Sequence, residues 1–363
     1  MNGKISSGEM MVLSICFITA LFPGITNNLI LSISKNSSLL SIGLATLVGL
    51  IPIFMIVFIS KRLDTSLFDF LREKFGFFGN FLNVFLVVMA FITLSISSWL
   101  FIDFLISQFL TRNSYYFISI FISLIVSYCV CKDLETLSRT AFVLFLISAI
   151  TILISWICLS GYVELDNFKP FIDVPYKNIM KSGFIILTFL SAPLIYMIDL
   201  RDKVQNKKGF ERKLVLSSLI SAFILFGFIF LIIGVYGIDL SSMFIYPIYS
   251  LFKKIEILGF IERIENISTL VLIIPFFNMF CYLIYYMKEN ILKFFENKEK
   301  KRNKKKERLL ICFLSVVIPV NAIYFFTNYN LNTLIEICPY IFSTLFIVII
   351  IIFIRCLFIK KSK

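Results

Sequence analysis

The sequence predicts an all-α integral membrane protein of about ten transmembrane helices, and three observations carry that prediction. Of 363 residues, 59% are hydrophobic and 17% aromatic, and the mean hydropathy of +0.93 lies far outside the range of soluble domains. The apolar residues fall in runs long enough to cross a bilayer, which takes roughly 20 mostly apolar residues per helix. The charged residues sit between the runs, as membrane topology requires. The net charge of +13 is therefore a property of loops and not the footprint of a nucleic-acid partner.

In order, the runs cover about 10–33, 38–60, 80–110, 114–131, 137–160, 178–199, 213–236, 263–287, 309–326 and 334–358. Met1 to Gly8 is too short for a signal peptide and has no small-residue cleavage site, so a cleaved leader is not expected. The first run contains Ala20-Leu21-Phe22-Pro23-Gly24-Ile25-Thr26-Asn27-Asn28 at its middle. Proline removes a ladder hydrogen bond and glycine favours unwinding, so this helix is expected to break. The third run is long enough to be tilted or kinked, and Ser95, Ser97 and Ser98 mark its least apolar stretch. About half a chain after the first break, the sixth run carries Leu190-Ser191-Ala192-Pro193-Leu194 at nearly the same depth. The eighth places Asn278, a lone amide, within Pro275 to Tyr282.

Three connecting segments have content beyond topology. Residues 65–75 alternate Leu67, Phe68, Phe70, Leu71 and Phe75 with Asp69, Arg72, Glu73 and Lys74, the pattern of a short amphipathic helix at the inner surface. Gly161 to Lys177, with Pro170 and Pro175, is an external loop. Residues 239–263 are too charged to span and too apolar to float free, so an interfacial or re-entrant helix over the external mouth is expected. The basic loop 288–308, with its run Lys298 to Lys306, is a topology anchor attracted to anionic lipid and not a nucleic-acid site.

Counting Lys and Arg in alternate loops fixes the orientation. Of 35 basic residues, only Lys35, Arg112, Lys169, Lys177, Lys181, Lys253, Lys254 and Arg263 fall in the poorer set. Both termini are then cytoplasmic, which requires an even number of spans.

The chemistry available is narrow. The chain has no histidine, the commonest general base and zinc ligand. Eight cysteines are scattered; Cys129 and Cys131 form a pair with no second pair to complete a metal site, and the rest read as small hydrophobes. No phosphate-cradling glycine loop or nucleophile elbow is present. Neither an enzyme nor a metal or cofactor is expected.

What remains is backbone polarity at the breaks. One end of a half-helix binds a carboxylate, and freed carbonyls bind an ammonium or cation. Matched broken helices in two halves of a membrane protein are a pointer to a transporter-type site, although proline also kinks membrane helices for packing alone. The expected ligand-binding set is Phe22, Pro23, Gly24, Ile25, Thr26 and Asn27 from the first span and Phe189, Ser191, Ala192 and Pro193 from the sixth. Ser95 and Ser98 from the third and Phe277 and Asn278 from the eighth complete it. The ligand class is a small zwitterion such as an amino acid. Intramembrane charge is a functional candidate by default. Asp103 either carries a proton or cation or reaches the outer interface near Arg112.

Several pieces, taken in order, resemble the endospore germination permeases, the B subunits of spore germinant receptors within the amino acid–polyamine–organocation transporters. Tyr246-Pro247, Gly259-Phe260 and Glu262-Arg263-x-Glu265 resemble the family's tyrosine-proline to phenylalanine-x-glutamate-arginine stretch. Ile5-Ser6 precedes the first span, Glu135 to Arg139 resembles the glutamate-x-x-x-arginine start of span five, and Asn167-x-x-Pro170 is similar to the external asparagine segment. Departures lie at Glu9 or Met10, at Lys35 to Ser38, and at Val271 or Leu272, where the family usually has glutamine, an aspartate-x-tryptophan pair and tryptophan.

The resemblance implies one transmembrane domain over 1–363, LeuT-like, of two five-helix inverted repeats (about 10–160 and 178–358) with helices 1 and 6 broken. It gives Arg139, Tyr246, Pro247, Glu262 and Arg263 structural roles in family motifs. It also implies a small nutrient ligand of the amino acid class, partnership with a receptor A subunit and a C lipoprotein, and residence in the spore inner membrane. A proton- or cation-coupled amino acid permease and a non-transporting scaffold of a membrane complex are the alternative functions.

Overall fold

The first apolar run does not form one helix. In the computed structural model, which describes residues 4–22, 25–63, 65–110, 114–255, 269–295, 304–328 and 331–358, helix α1 (Ser7–Ala20) opens on a capping box. Ser6 Oγ accepts the Glu9 N–H at 3.1 Å, and Glu9 Oε2 accepts the Ser6 N–H at 2.8 Å, so two orphan donors of the first turn are satisfied reciprocally. At its other end the bonding tightens, with Leu21 N–H on the Ile18 carbonyl and Phe22 N–H on the Thr19 carbonyl. The chain resumes as α2 (Ile25–Ser34). Fourteen residues of α1 rise only ~21 Å, less than a hydrocarbon core of about 30 Å, so span one needs both pieces. Pro23 and Gly24 lie outside the described residues.

Helix α3 (Ser38–Arg62) makes span two and ends on Lys61 and Arg62. Helix α4 (Leu67–Phe75) is the amphipathic segment. It buries Leu67, Phe68, Phe70 and Leu71 against protein, and Asn83 Nδ2 donates to the Phe68 carbonyl at 3.0 Å. Spans three to five are α5 (Phe77–Gln108), α6 (Tyr115–Val130) and α7 (Leu134–Ser160). In the second half, α8 (Tyr176–Ser191) gives way at Ala192 to a 3-10 stretch over Ala192–Lys203 with Pro193 in its first turn. Twelve residues of 3-10 is long for that geometry, whose runs seldom exceed three or four. Span six is therefore broken, but by a change of helix type and not by an open gap.

Helix α9 (Lys207–Met243) carries span seven and is kinked close to the expected end near 236, where Gly237 at φ 69° takes a conformation that a side chain would disfavour and redirects the chain. The Asn167 amide donates to the Gly234 carbonyl at 2.8 Å beside this kink, which gives Asn167 a structural task. The segment expected at 239–263 thus begins inside α9 and continues in α10 (Pro247–Phe252). Its remainder, with Glu262 and Arg263, lies outside the described residues. Span eight is α11 (Leu270–Phe295). The ninth run, expected as one helix, is two, α12 (Lys304–Ser315) and α13 (Val317–Asn328). Pro319 cannot donate to the Ser315 carbonyl and its ring crowds that carbonyl, so the helix breaks there. Span ten is α14 (Leu331–Phe358).

Among the described residues seven helical stretches are long and apolar enough to cross a membrane. One of these, Thr26–Arg62, joins the outer half of span one to span two, and the shorter apolar helices α1 and α6 with the α12–α13 pair complete ten spans. The two most extensive helix packings are α3 on α8 and α1 on α9. The second span of each half thus lies on the broken first span of the other, the exchange expected of two related five-span repeats. Large apolar side chains such as Leu47, Ile51, Phe117, Leu124 and Ile157 are exposed, as a lipid-facing surface requires. All eight cysteines are free; Cys16, Cys281, Cys338 and Cys356 are buried as expected of small hydrophobes, whereas Cys131 and Cys312 are exposed.

Candidate functional site

The two broken spans border one cavity. It is lined by Ala20, Leu21, Thr26 and Leu29 of span one, Thr93, Ile96, Ser97 and Leu100 of α5, Phe189 of α8, Phe276 of α11, and Cys338 and Phe342 of α14. Its volume of about 20 Å³ is room for a single water, so the site is closed around almost nothing. No ionisable group other than the Cys338 thiol lines it. A ligand there meets hydroxyls, backbone and aromatic edges.

Several expected site residues are used differently from the expectation. Thr26 Oγ1 donates to the Leu21 carbonyl at 2.7 Å, bridging the break and satisfying a carbonyl that would otherwise be free. Ile25 begins α2. Phe22 and Asn27 line a second cavity of about 30 Å³ on the far side of span one, with Ser148 and Ser221. Asn27 is fully buried there, and both atoms of its amide lack a partner among the described residues. Asn28 donates from Nδ2 to the carbonyls of Ser242 and Phe244 at 2.8 and 2.7 Å, tying the segment after Gly237 to span one.

The serines of span three are displaced by helix geometry. Residues three and four apart share a helix face, and the face turned to the cavity is Thr93, Ile96, Ser97 and Leu100. Ser95 instead accepts Asn321 Nδ2 of α13 at 2.8 Å. Ser98 is buried and donates to the Ser95 carbonyl at 3.0 Å. The same one-residue offset separates Phe277 from Phe276, which lines the cavity. Asn278 reaches back to Cys16 Sγ at 3.7 Å. In span six only Phe189 lines the cavity; Ser191 donates to the Leu187 carbonyl at 2.7 Å, and the Ala192 N–H bonds to the Thr188 carbonyl. These bonds satisfy the carbonyls of Leu187 and Thr188, just before the Phe189 to Pro193 stretch expected to offer free carbonyls. Thr93 and Ser97 were left out of the expected ligand-binding set; their three-four spacing puts them on one helix face but does not by itself say that this face turns to the cavity.

The end of the bundle that carries the basic loops is tied across. Asp199 in the 3-10 stretch accepts the Leu67 N–H at 2.9 Å and Asn290 Nδ2 at 3.3 Å. Arg201 pairs with Glu211 at 3.1 Å and donates to the Leu63 carbonyl at 2.6 Å. Lys293 Nζ bonds Ser66 Oγ at 2.6 Å and lies 3.6 Å from Asp69. Lys203 lies 3.6 Å from Glu289 and donates to the Tyr285 hydroxyl. Ile5 bridges to this stretch through its N–H on the Lys203 carbonyl at 2.8 Å.

At the opposite end Asp103 accepts the Tyr246 hydroxyl. Burial, then the Asp103 carboxylate, raises the Tyr246 pKa above that of an ordinary phenol, so the hydroxyl stays protonated and donates. Asp103 thus holds down the start of α10, an arrangement neither sequence alternative foresaw; Arg112 lies outside the described residues. Pro247 is buried at the first turn of α10. Arg139 pairs with Glu135 at 2.6 Å on an exposed face. Among the described residues no cluster of metal-ligating side chains occurs.

A solved structure of a Na+-coupled sialic acid symporter, in its substrate-bound outward-open state, is similar at a TM-score of 0.67 and 13% identity, over 96% of this chain and 79% of that one. At that identity the likeness establishes the fold, a LeuT-like pair of five-span inverted repeats with helices one and six broken. No curated protein matches the sequence significantly. The profile of a family described as "Spore germination protein" matches residues 4–334.

Proposed function

The chain belongs to the spore germination protein family, and on that premise we propose that it is the membrane subunit of a germinant receptor, sensing or transporting an amino acid or similar small nutrient. A multi-pass membrane protein of transporter or receptor type is the common ground of family and fold. The observation that carries the finer reading is that both broken spans contribute to one central cavity with no charged side chain in its lining. Backbone dipoles and hydroxyls then recognise a zwitterion without a fixed counter-charge. The cavity must expand to admit an amino acid, so occupancy is coupled to movement of spans one and six. In this reading the basic end faces the cytoplasm with both chain termini, the membrane is the spore inner membrane, and an A subunit and a C lipoprotein complete the receptor. The chain has no catalytic step of its own and no nucleic-acid partner.

The test is ligand response in the assembled receptor. Pro193→Leu or Gly24→Leu is expected to abolish it while membrane insertion is retained; a variant that inserts and binds with unchanged affinity overturns the reading. A cation-coupled permease is the second reading, supported by the likeness to the Na+-coupled symporter. Net uptake of an amino acid into proteoliposomes by this chain alone favours it. Absence of any saturable nutrient binding leaves a structural scaffold.

A further inference from the structure

The central cavity has no charged side chain with which to sort ligands by charge, yet a site that provides such groups lies directly outward of it. A cavity of about 80 Å³, larger than the central one, opens between α2, α8 and α14 at the end opposite the basic loops. Lys181 of α8 and Glu336 of α14 both line it. Both are exposed, and neither has an ion pair or side-chain hydrogen bond among the described residues. The charges named above at the basic end are, by contrast, engaged with partners. Leu29, Ile33, Phe184 and Tyr340 supply apolar walls.

The two cavities are in series. Leu29 lines both. On α8 the outer cavity uses Lys181 and Ile185 and the central one Phe189, steps of four that stay on one helix face and descend about 12 Å. In the wall of the central cavity the rings of Phe189 and Phe342 meet edge to face, with centroids 5.3 Å apart. A solute arriving from the far side meets the two charges first, then the central cavity.

We propose that this outer cavity is a capture site for a zwitterionic α-amino acid, Lys181 holding its carboxylate and Glu336 its ammonium, and that it sets the charge selectivity the central cavity lacks. The proposal rests on the amino-acid reading above. A free amine or a free acid meets one attractive and one repulsive group and gains little. A neutral sugar gains nothing from either. The apolar walls favour an aliphatic side chain.

The experiment uses the full chain in lipid nanodiscs, screened for binding against the twenty proteinogenic L-amino acids. The tightest binder is then measured on Lys181→Gln, Glu336→Gln and the exchanged pair K181E/E336K. Each neutral variant is expected to weaken binding about fivefold, the scale of one solvent-screened charge contact, mainly through slower association. The wild-type advantage is expected to shrink at high ionic strength. The corresponding amine, lacking the carboxylate, is expected to bind wild type no more tightly than K181Q. Unchanged association rates and dissociation constants in both neutral variants, with wild type binding normally, overturn the capture site and leave the central-site reading intact. A wild type that binds none of the twenty overturns both.

Discussion

The two ends of the bundle close the same cavity by different physics. At the basic end, closure is polar and specific: the Asp199, Arg201, Lys203 and Lys293 side chains each bond to partners on other elements. These contacts join α4, span six, span seven and span eight, and they must break together for that end to open. At the far end, closure is largely apolar, an aromatic edge contact of Phe189 with Phe342 beneath an open cavity. Polar ties at this end, such as Asp103–Tyr246, Asn28 to the Ser242 and Phe244 carbonyls, and Asn36 and Ser37 to the Pro170 and Phe171 carbonyls, fasten connecting segments and not the aromatic contact at the cavity. The difference teaches which end yields first. Opening the far end needs one apolar contact to part, whereas breaking a buried polar network of several bonds is a collective event of microseconds or longer.

The comparison fails at once if the basic-end network carries no energy. Arg201→Ala is the most severe test, because it strands the nearly buried Glu211 carboxylate and the Leu63 carbonyl. Breaking a buried pair from one side costs about 3–5 kcal/mol, which thermal unfolding in detergent would read as a large loss. A change within measurement error would mean that the end is held by packing alone. Asp199→Asn is the milder version, retaining shape and one acceptor while removing the charge. A hydrogen bond to a charged group contributes about 1.5–3 kcal/mol, so amide exchange over Leu67–Phe75 should accelerate, with α2 and α10 unaffected. Acceleration spread evenly over the chain would deny the two ends their independence.

A third test sits between the two ends. Thr26→Val keeps shape but removes the hydroxyl that satisfies the Leu21 carbonyl, at a cost of about 1–3 kcal/mol for an unsatisfied buried acceptor. Ligand affinity should fall with it, and Ser97→Ala should also weaken binding, whereas Ser95→Ala should not. The reverse ranking of the two serine variants would return the site to the face first read from the sequence.

That ranking marks the limit of what was legible in the residues. The breaks at Phe22 to Gly24 and at Ser191 to Pro193 could be read because proline and glycine act locally, through a missing donor and a permissive backbone. The amphipathic α4 and the ten spans were legible for the same reason, composition acting over short windows. Which serine of Ser95, Ser97 and Ser98 faces the cavity depends on the rotation of α5 against its neighbours, which no local signal states. The 3-10 geometry of Ala192–Lys203 and the Asp103–Tyr246 contact over 143 residues of chain likewise exist only in the packed bundle. Asn27 shows the converse: its polarity was legible, but it faces the second cavity.

Tyr246→Phe tests the far end with a smaller stroke. It keeps the ring packed on Phe104, whose centroid is 5.1 Å away, and deletes only the hydroxyl donated to Asp103. The expected loss of about 1.5 kcal/mol, the low end for a hydrogen bond to a charged group, should loosen α10 without changing exchange in α4. The smallest effect is expected at Arg139, whose side chain is 68% exposed and whose bond to Glu135 spans one helical turn. Exposed pairs of this kind contribute about 0.5 kcal/mol or less, so Arg139→Ala should leave unfolding and nutrient binding near wild type. If the proposed receptor reading holds, that expectation makes the variant informative in the assembled complex. If stability and binding are retained but germination fails, the cost of losing Arg139 must arise outside this chain's own fold, at a surface where another subunit meets the start of span five. If germination is also unchanged, the glutamate–arginine pair does no more than order the first turns of α7.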